Sequence, residues 1–280
     1  KEINAYNIPP QDNHGSHVSG IMDAEWDNGV GVSGVMGGKG DLYFSGVYYD
    51  GGYGLLPFTG YDFLLALKTL IDQDVQVINI SLGGSDLTVF AASRGNQNAI
   101  DYLTYQAEFF DNGLSRIISV REAQGKPDFV ICVAAGNTNN NVFYKDDNEP
   151  YGYRCNQTPL DVLTGNLPDS GNVLALYSNF IQMAQSEAVT DRVIVVGALE
   201  IDKANSTRFS TRYSVTDYSN VGSRVDIVAP GSDIYSCYDI GYDYMSGTSM
   251  ASPHVAGVAG LVFACNPDLE GPQVKANLLA

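Results

Sequence analysis

The chain has 280 residues, of which 44% are hydrophobic, and its formal net charge at pH 7 is −17. This length is enough to bury one large core, so we expect a single domain over residues 1–280. The acidic balance argues against nucleic acid or an anionic membrane surface as a partner. The sequence has no run of about 18 apolar residues, so it predicts no membrane-spanning segment.

Short apolar runs alternate with helical patterns along the chain, which predicts βαβ units built around a mostly parallel sheet. The apolar runs predict strands over residues 75–80, 129–133, 192–197 and 225–229. Helical spacing predicts helices over residues 61–73, 174–186, 252–265 and 272–280. The class indicated by these elements is α/β.

One serine-containing segment is the first candidate for the chemistry that the sequence suggests. Ser249 follows the small residues Gly247 and Thr248 and precedes an apolar helix, with Pro253 expected in its first turn. Such a serine lies where the N–H groups and positive end of a helix can stabilise an oxyanion. The G-x-S-x-G elbow of α/β-hydrolases is excluded, because Ala251 stands where that motif requires glycine.

Two further segments accompany Ser249. One is His14-Gly15-Ser16-His17-Val18-Ser19-Gly20, and the other is Ala134-Ala135-Gly136-Asn137 at the end of a predicted buried strand. A serine becomes a nucleophile when a base removes its proton, and His14 is the candidate base. The pair His14 and His17 is weak as a zinc motif, since no third ligand is evident.

In this order along the chain, the three segments resemble the subtilisin-like serine proteases (subtilases, peptidase family S8). The resemblance implies a three-layer α/β/α fold with a mostly parallel central sheet. It implies Ser249 as nucleophile, His14 as general base, and Asn137 as an oxyanion donor together with the Ser249 N–H. It also implies that His17 is structural, and we expect His254 to be a packed, hydrogen-bonded histidine.

The resemblance extends to a substrate-binding strand. It implies that Ser81, Leu82, Gly83 and Gly84 pair with the substrate backbone, and that Ala134, Ala135 and Gly136 form another wall of the cleft. Relative to the family's compact core, residues 86–125 and 141–191 look like insertions. Either stretch shapes the cleft or is surface decoration.

The family's catalytic aspartate, on an N-terminal strand before the histidine, is missing from this sequence. Only Glu2 and Asp12 precede His14 among carboxylates, and Asp12 is expected to cap the helix that follows. We therefore expect a chain truncated at both ends, with the strand supplied by an upstream segment. The alternatives are an aspartate from a separate chain and a degenerate, non-catalytic relative.

A structural calcium ion is a weaker expectation. The segment Trp26-Asp27-Asn28-Gly29-Val30-Gly31-Val32 resembles a calcium-binding loop of subtilases, with Asp27 and Asn28 as ligands. An ordinary Asp-Asn-Gly turn is the alternative. Among the cysteines, Cys132 and Cys265 are predicted to be buried free thiols, whereas Cys155 and Cys237 are candidates for a disulfide that the sequence does not settle.

The function predicted from these residues is that of a serine endopeptidase acting on polypeptides, extracellular or at the cell surface, with no cofactor needed for the chemistry. The first alternative is a catalytically silent pseudoprotease or peptide-binding module that uses the same cleft. The second is a subtilase that cuts only its own chain during maturation, which predicts a blocked cleft.

Overall fold

The computed structural model describes residues 13–45, 60–82, 96–137, 180–207, 210–222 and 224–280. The helices in these ranges are α1 (Asn13–Asp23), α2 (Gly60–Ile71), α3 (Gln97–Ala123), α4 (Glu187–Thr190), α5 (Thr248–Cys265) and α6 (Gly271–Leu279). A 3₁₀ turn spans Phe180–Met183. The strands are β1 (Val77–Ile80), β2 (Val130–Ala134), β3 (Val193–Ile201), β4 (Tyr213–Val215), β5 (Ile227–Pro230), β6 (Ile234–Tyr238) and β7 (Gly241–Met245).

Five of these strands form one sheet, in which β1, β2, β3 and β4 follow one another and β5 also pairs with β3. The β1–β2, β2–β3 and β3–β5 pairs are parallel, and only β3–β4 is antiparallel. Strands β6 and β7 make a separate antiparallel hairpin. The mostly parallel sheet predicted from the sequence is confirmed.

The sheet is buried on both faces, as strand β2 illustrates. All five of its residues are buried, and successive side chains enter different cores because a strand alternates faces. Ile131 and Val133 pack in the core that contains α2 and α3, whereas Cys132 packs with residues of α5. Helices therefore cover both faces, and the three-layer α/β/α arrangement is confirmed.

Two predicted helices differ from the structure. Residues 174–179 lie outside the described part, and residues 180–186 form a short 3₁₀ turn followed by irregular chain rather than an α-helix. The Asp111 carboxylate accepts hydrogen bonds from the N–H groups of Gln185 and Ser186 at 3.0 Å each, which takes these donors away from helical pairing. The predicted helix over residues 252–265 begins four residues earlier, at Thr248.

The cysteine predictions are partly wrong. Cys132 is a buried free thiol as expected, and burial raises its pKa to about 12. Cys265 is also free but exposed, because α5 ends there and the last turn leaves the core. Cys237 carries a free thiol, and its candidate partner Cys155 lies outside the described residues.

Helix α5 is the structural centre of the domain. Its length and composition would suffice to cross a membrane, but most of its residues are buried in the protein, as in the core helix of a folded domain. It contacts α1, α6 and the strands β1, β2, β3 and β5. Gly257 and Gly260 permit this packing, since a Cβ atom at either position would approach Val35 or Met36 within 2.7 Å.

Candidate active site

The carboxyl ends of β1 and β2 meet at the N-terminus of α5. Ile80 is level with Val133 in the parallel ladder, so the two segments that follow these strands lie side by side. Ser249 is the second residue of α5, which packs on both strands. In open α/β sheets, ligands bind at this edge of the sheet. The structure thus gathers Ser249, Ser81 and the segment after β2 in one place.

Asn137 has its side-chain amide fixed by Thr248. The Asn137 Oδ1 atom accepts hydrogen bonds from the Thr248 backbone N–H at 2.8 Å and from the Thr248 hydroxyl at 2.9 Å. Since a backbone N–H can only donate, the oxygen of the amide must face Thr248, and Nδ2 must face the other way. The Nδ2 donor group is therefore directed away from Thr248. Asn137 as a whole is exposed, so its orientation comes from these contacts and not from burial.

The segment after β2 is held rigid by two buried amide side chains. Gln182 Nε2 donates to the Ala134 carbonyl at 2.8 Å, and Asn220 Nδ2 donates to the Ala135 carbonyl at 2.8 Å. The backbone N–H of Asn220 donates to the Gly136 carbonyl at 2.9 Å. Gly136 itself has φ of 98°, a conformation that side chains disfavour. All three carbonyls are used within the protein, so this wall is preformed.

Ser81 and Ser249 contact each other through two hydrogen bonds. The Ser81 hydroxyl donates to the Ser249 carbonyl at 2.8 Å, and the Ser249 hydroxyl donates to the Ser81 carbonyl at 3.4 Å. The second distance is near the limit for a hydrogen bond, so it restrains the Ser249 hydroxyl only weakly. Leu82 packs partly against the core, and Gly83 and Gly84 lie outside the described residues.

His14 lies in the first turn of α1, which packs beside α5. Val35 donates its N–H to the Ile21 carbonyl, and its side chain packs on Gly257, where a Cβ atom would lie 2.6 Å from Val35 Cβ. Met36 donates to the next carbonyl of α1 and contacts the next turn of α5, at Gly260. Because the contacts advance together along both helices, α1 and α5 run in the same direction. Their first turns, with His14 and Ser249, therefore lie at the same end.

His17 is a structural residue, in agreement with the sequence analysis. Its side chain is fully buried, and Nε2 lies 2.9 Å from the Ile234 carbonyl and 3.2 Å from the Asp243 carbonyl. Carbonyls only accept, so Nε2 carries the proton and Nδ1 has no partner among the described residues. Burial is the largest influence on this ring and lowers its pKa, so the neutral form is favoured.

His254 also has a structural role. Its Nδ1 lies 2.8 Å from the Met250 carbonyl, one turn earlier in α5, so that nitrogen carries a proton. Burial lowers the pKa of this ring as well. Neither His17 nor His254 is arranged as a general base for Ser249, which leaves His14 as the candidate among the chain's three histidines.

The loop proposed to bind calcium adopts the geometry of a turn. Asn28 Oδ1 accepts a hydrogen bond from the Val30 N–H at 2.9 Å, and Asp27 has a left-handed φ of 56°. No group of three or more His, Cys, Asp or Glu side chains suited to a metal occurs among the described residues. Calcium takes six to eight oxygen ligands, so Asp27 and Asn28 do not by themselves fit a site.

The residues that support the site were not among those predicted from the sequence. Thr248, Gln182 and Asn220 fix the cleft side chains and carbonyls described above. Pro253 was expected in the first turn of the helix. It is instead the sixth residue of α5 and lies in the second turn. A proline there leaves one carbonyl of the first turn without a helical partner. That carbonyl belongs to Ser249.

Comparison with known proteins bears on the family of the chain. A family model described as the subtilase family, Peptidase S8, matches residues 1–280. The chain is 29% identical over 261 residues to a thermophilic serine proteinase of Bacillus sp. strain AK1, covering 92% of this chain and 44% of that protein. It is 27% identical over 266 residues to subtilisin DY of Bacillus licheniformis, covering 95% of this chain and 68% of that protein.

Two further similarities are informative. An extracellular protease of Xanthomonas campestris pv. campestris is 34% identical over 146 residues, covering 46% of this chain and 25% of that protein. The crystal structure of a cold-adapted subtilisin-like serine proteinase aligns with a TM-score of 0.54 at 23% identity, covering 99% of this chain and 73% of that one. At this identity the structural likeness bears on the fold alone.

Proposed function

The chain belongs to the subtilase family, and from that premise we propose that it is a serine endopeptidase whose nucleophile is Ser249. The observation that carries the proposal is the arrangement at the carboxyl edge of the sheet. There a serine on a helix N-terminus lies beside a side-chain amide whose donor group is set by its neighbours. The relatives named serine proteinases support the same class of reaction.

In the proposed reaction, His14 removes the Ser249 hydroxyl proton as the oxygen attacks a peptide carbonyl. The tetrahedral oxyanion accepts hydrogen bonds from Asn137 Nδ2 and from the Ser249 backbone N–H. That N–H is among the first four of a helix, which have no acceptor inside the helix. His14 then protonates the leaving amine, and water hydrolyses the acyl-enzyme by the same steps in reverse order. No metal or cofactor takes part.

An aspartate that orients His14 completes the proposal, carried by a strand upstream of that histidine. Among the described residues, β1 is the end strand of the sheet, and its outer edge is open to one more parallel strand. A strand added there would end next to β1's own carboxyl end, close to the first turns of α1 and α5. This is the edge at which a carboxylate is needed.

The proposed substrate is a polypeptide bound in extended form along Ser81 and Leu82, with the preformed wall Ala134–Gly136 on the other side. The carbonyls of that wall already accept hydrogen bonds within the protein. The wall would therefore select a substrate side chain by its shape and not by hydrogen bonding. Relatives include a protein named an extracellular protease, which supports a secreted location for this one.

Labelling of the native protein with a fluorophosphonate tests the proposal. We expect a single adduct at Ser249, located by mass spectrometry, and no adduct in the Ser249→Ala variant. The reagent reacts with serines that a neighbouring base activates, so labelling reports an assembled site rather than an exposed hydroxyl. Absence of label on a folded wild-type protein would contradict the proposal and favour the peptide-binding alternative.

A further inference from the structure

The carbonyl of Ser249 lies at a defect in helix α5. In an α-helix, each carbonyl accepts a hydrogen bond from the N–H four residues later, and for Ser249 that residue is Pro253. Proline has no N–H, and its ring crowds the carbonyl four residues before it. The N–H that would normally bond the Ser249 carbonyl is therefore missing from α5, and a donor outside the helix can take its place.

Strand β1 and the residue after it supply that partner. Ser81 Oγ donates to the Ser249 carbonyl at 2.8 Å. Asn79 Nδ2 donates to Ser81 Oγ at 2.9 Å, and Ser252 Oγ donates to Asn79 Oδ1 at 2.7 Å. The three hydrogen bonds form a relay that leaves α5 at Ser252, passes through the end of β1 and returns to α5 at Ser249.

Every proton in the relay has one possible place. The Ser249 carbonyl only accepts, so the single hydroxyl proton of Ser81 must point to it. Ser81 then accepts from the Asn79 amide nitrogen, which turns Asn79 Oδ1 toward Ser252 and makes the Ser252 hydroxyl the donor. The buried Ser252 hydroxyl is thus held in one direction, and the relay has no alternative arrangement that keeps all three bonds.

We propose that Asn79, Ser81 and Ser252 are positioning residues that hold the backbone of the nucleophile through this relay. The inference rests on the proposed function, because it concerns how Ser249 is aligned for attack. Asn137 holds the peptide group before Thr248, and the relay holds the peptide group after Ser249. Between them, the backbone of Ser249, with its N–H and the Cα from which its side chain extends, is fixed relative to the Asn137 amide.

The test is a double-mutant cycle of Ser81→Ala and Pro253→Ala in the native protein, measured as the second-order rate of fluorophosphonate labelling. We expect Ser81→Ala alone to lower this rate about tenfold, since an error of about 1 Å in alignment costs about a hundredfold. Pro253→Ala supplies the missing N–H to the Ser249 carbonyl. In that background, we expect Ser81→Ala to lower the rate less than about threefold, which makes the two sites strongly coupled.

The probe carries no peptide, so losses in substrate binding by Ser81 do not enter the measurement. Ser186→Ala is the matched control. It also removes a hydroxyl, which donates to Asp111 Oδ1 at 2.7 Å, but neither residue belongs to α5. We expect it to lower the melting temperature without changing the labelling rate. An equal loss from Ser81→Ala in both backgrounds, or a fall in melting temperature with an unchanged labelling rate, overturns the relay. A wild-type protein that does not label overturns the proposed function itself, and the relay's role with it.

Discussion

Helices α5 and α1 carry the two reacting side chains of the proposed mechanism, and they are held in different ways. The first turn of α5 is tied to the sheet by side-chain hydrogen bonds on both sides of Ser249. Helix α1 is tied instead to the β6–β7 hairpin, through His17 to two hairpin carbonyls and through the Ser236 hydroxyl, which donates to the His17 carbonyl at 2.8 Å.

The difference separates the two halves of the site. The proposed nucleophile and oxyanion donors are held in place by contacts among described residues, so this half is built into the sheet and α5. The general base depends on a helix that is anchored three residues beyond His14 and on an aspartate that we place on another segment. Substitutions around Ser249 and Asn137 should therefore lower mainly the rate of reaction. Substitutions that loosen α1 should lower both the rate of reaction and the stability of the protein.

The largest expected effect concerns Asn137. Asn137→Ala removes the proposed oxyanion donor, so we expect kcat to fall about 10²–10³-fold with little change in KM. Thr248→Val is the matched variant, because it removes the hydroxyl that contacts Asn137 but keeps the backbone N–H. We expect its loss to be at least tenfold smaller on the same peptide substrate.

A change confined to KM in Asn137→Ala would show that the amide binds substrate instead of stabilising the oxyanion. Equal losses in the two variants would show that the Thr248 hydroxyl, and not the N–H, orients the amide. Either result would contradict the proposal that the Thr248 N–H orients the Asn137 amide as an oxyanion donor.

The same division explains what the sequence could predict. Local patterns sufficed for β2 and β3, whose apolar runs matched the strands to within a few residues, and for the position of Ser249 at the start of an apolar helix. They failed where distant residues intervene. Asp111 accepts hydrogen bonds from the N–H groups of Gln185 and Ser186, more than 70 residues along the chain, and so keeps these two N–H groups out of helical pairing.

The supporting residues of the cleft were missed for the same reason. Gln182 and Asn220 are 48 and 85 residues from the carbonyls that they satisfy, and Ser81 is 168 residues from Ser249. No periodicity records such pairs. Pro253 is a local sign of one such pair, Ser81 and Ser249. A proline in the second turn of a helix removes the N–H that would normally bond a carbonyl of the first turn, and another donor can then bond it.

The next largest effect concerns the anchor of α1. His17→Leu leaves the Ile234 and Asp243 carbonyls without their donor, so we expect the free energy of unfolding to fall by about 1–3 kcal/mol. His254→Leu is the matched variant on α5, where only the bond to the Met250 carbonyl is lost within one helix. We expect a smaller loss there, measured by denaturant unfolding of both proteins.

The labelling rate distinguishes the two helices further. If α1 depends on His17, its removal should slow labelling of Ser249 at temperatures where the protein remains folded, because His14 shifts with the helix. Equal stability losses in the two histidine variants, with labelling unaffected in both, would show that the hairpin does not position the base.

The smallest effect is a dependence of stability on pH. Burial lowers the pKa of His17, opposed by its two backbone hydrogen bonds and reinforced by the nearby His14. The unfolded chain, with an ordinary histidine pKa near 6.5, then binds more protons than the folded protein as pH falls below that value. The stabilising contribution is complete above pH 6.5 and is lost progressively below it. His254, whose pKa burial also lowers, contributes in the same direction.

His17→Gln isolates the contribution of the α1 anchor, because glutamine keeps an N–H donor for the hairpin carbonyls and does not titrate. We expect the free energy of unfolding of this variant to change less between pH 7 and pH 5 than that of the wild-type protein. The residual slope belongs to His254 and to the remaining titrating groups. An unchanged slope would mean that His17 takes up a proton in the folded state. The Nδ1 atom would then carry a proton as well and would need a buried acceptor, in addition to the two hairpin carbonyls that Nε2 contacts.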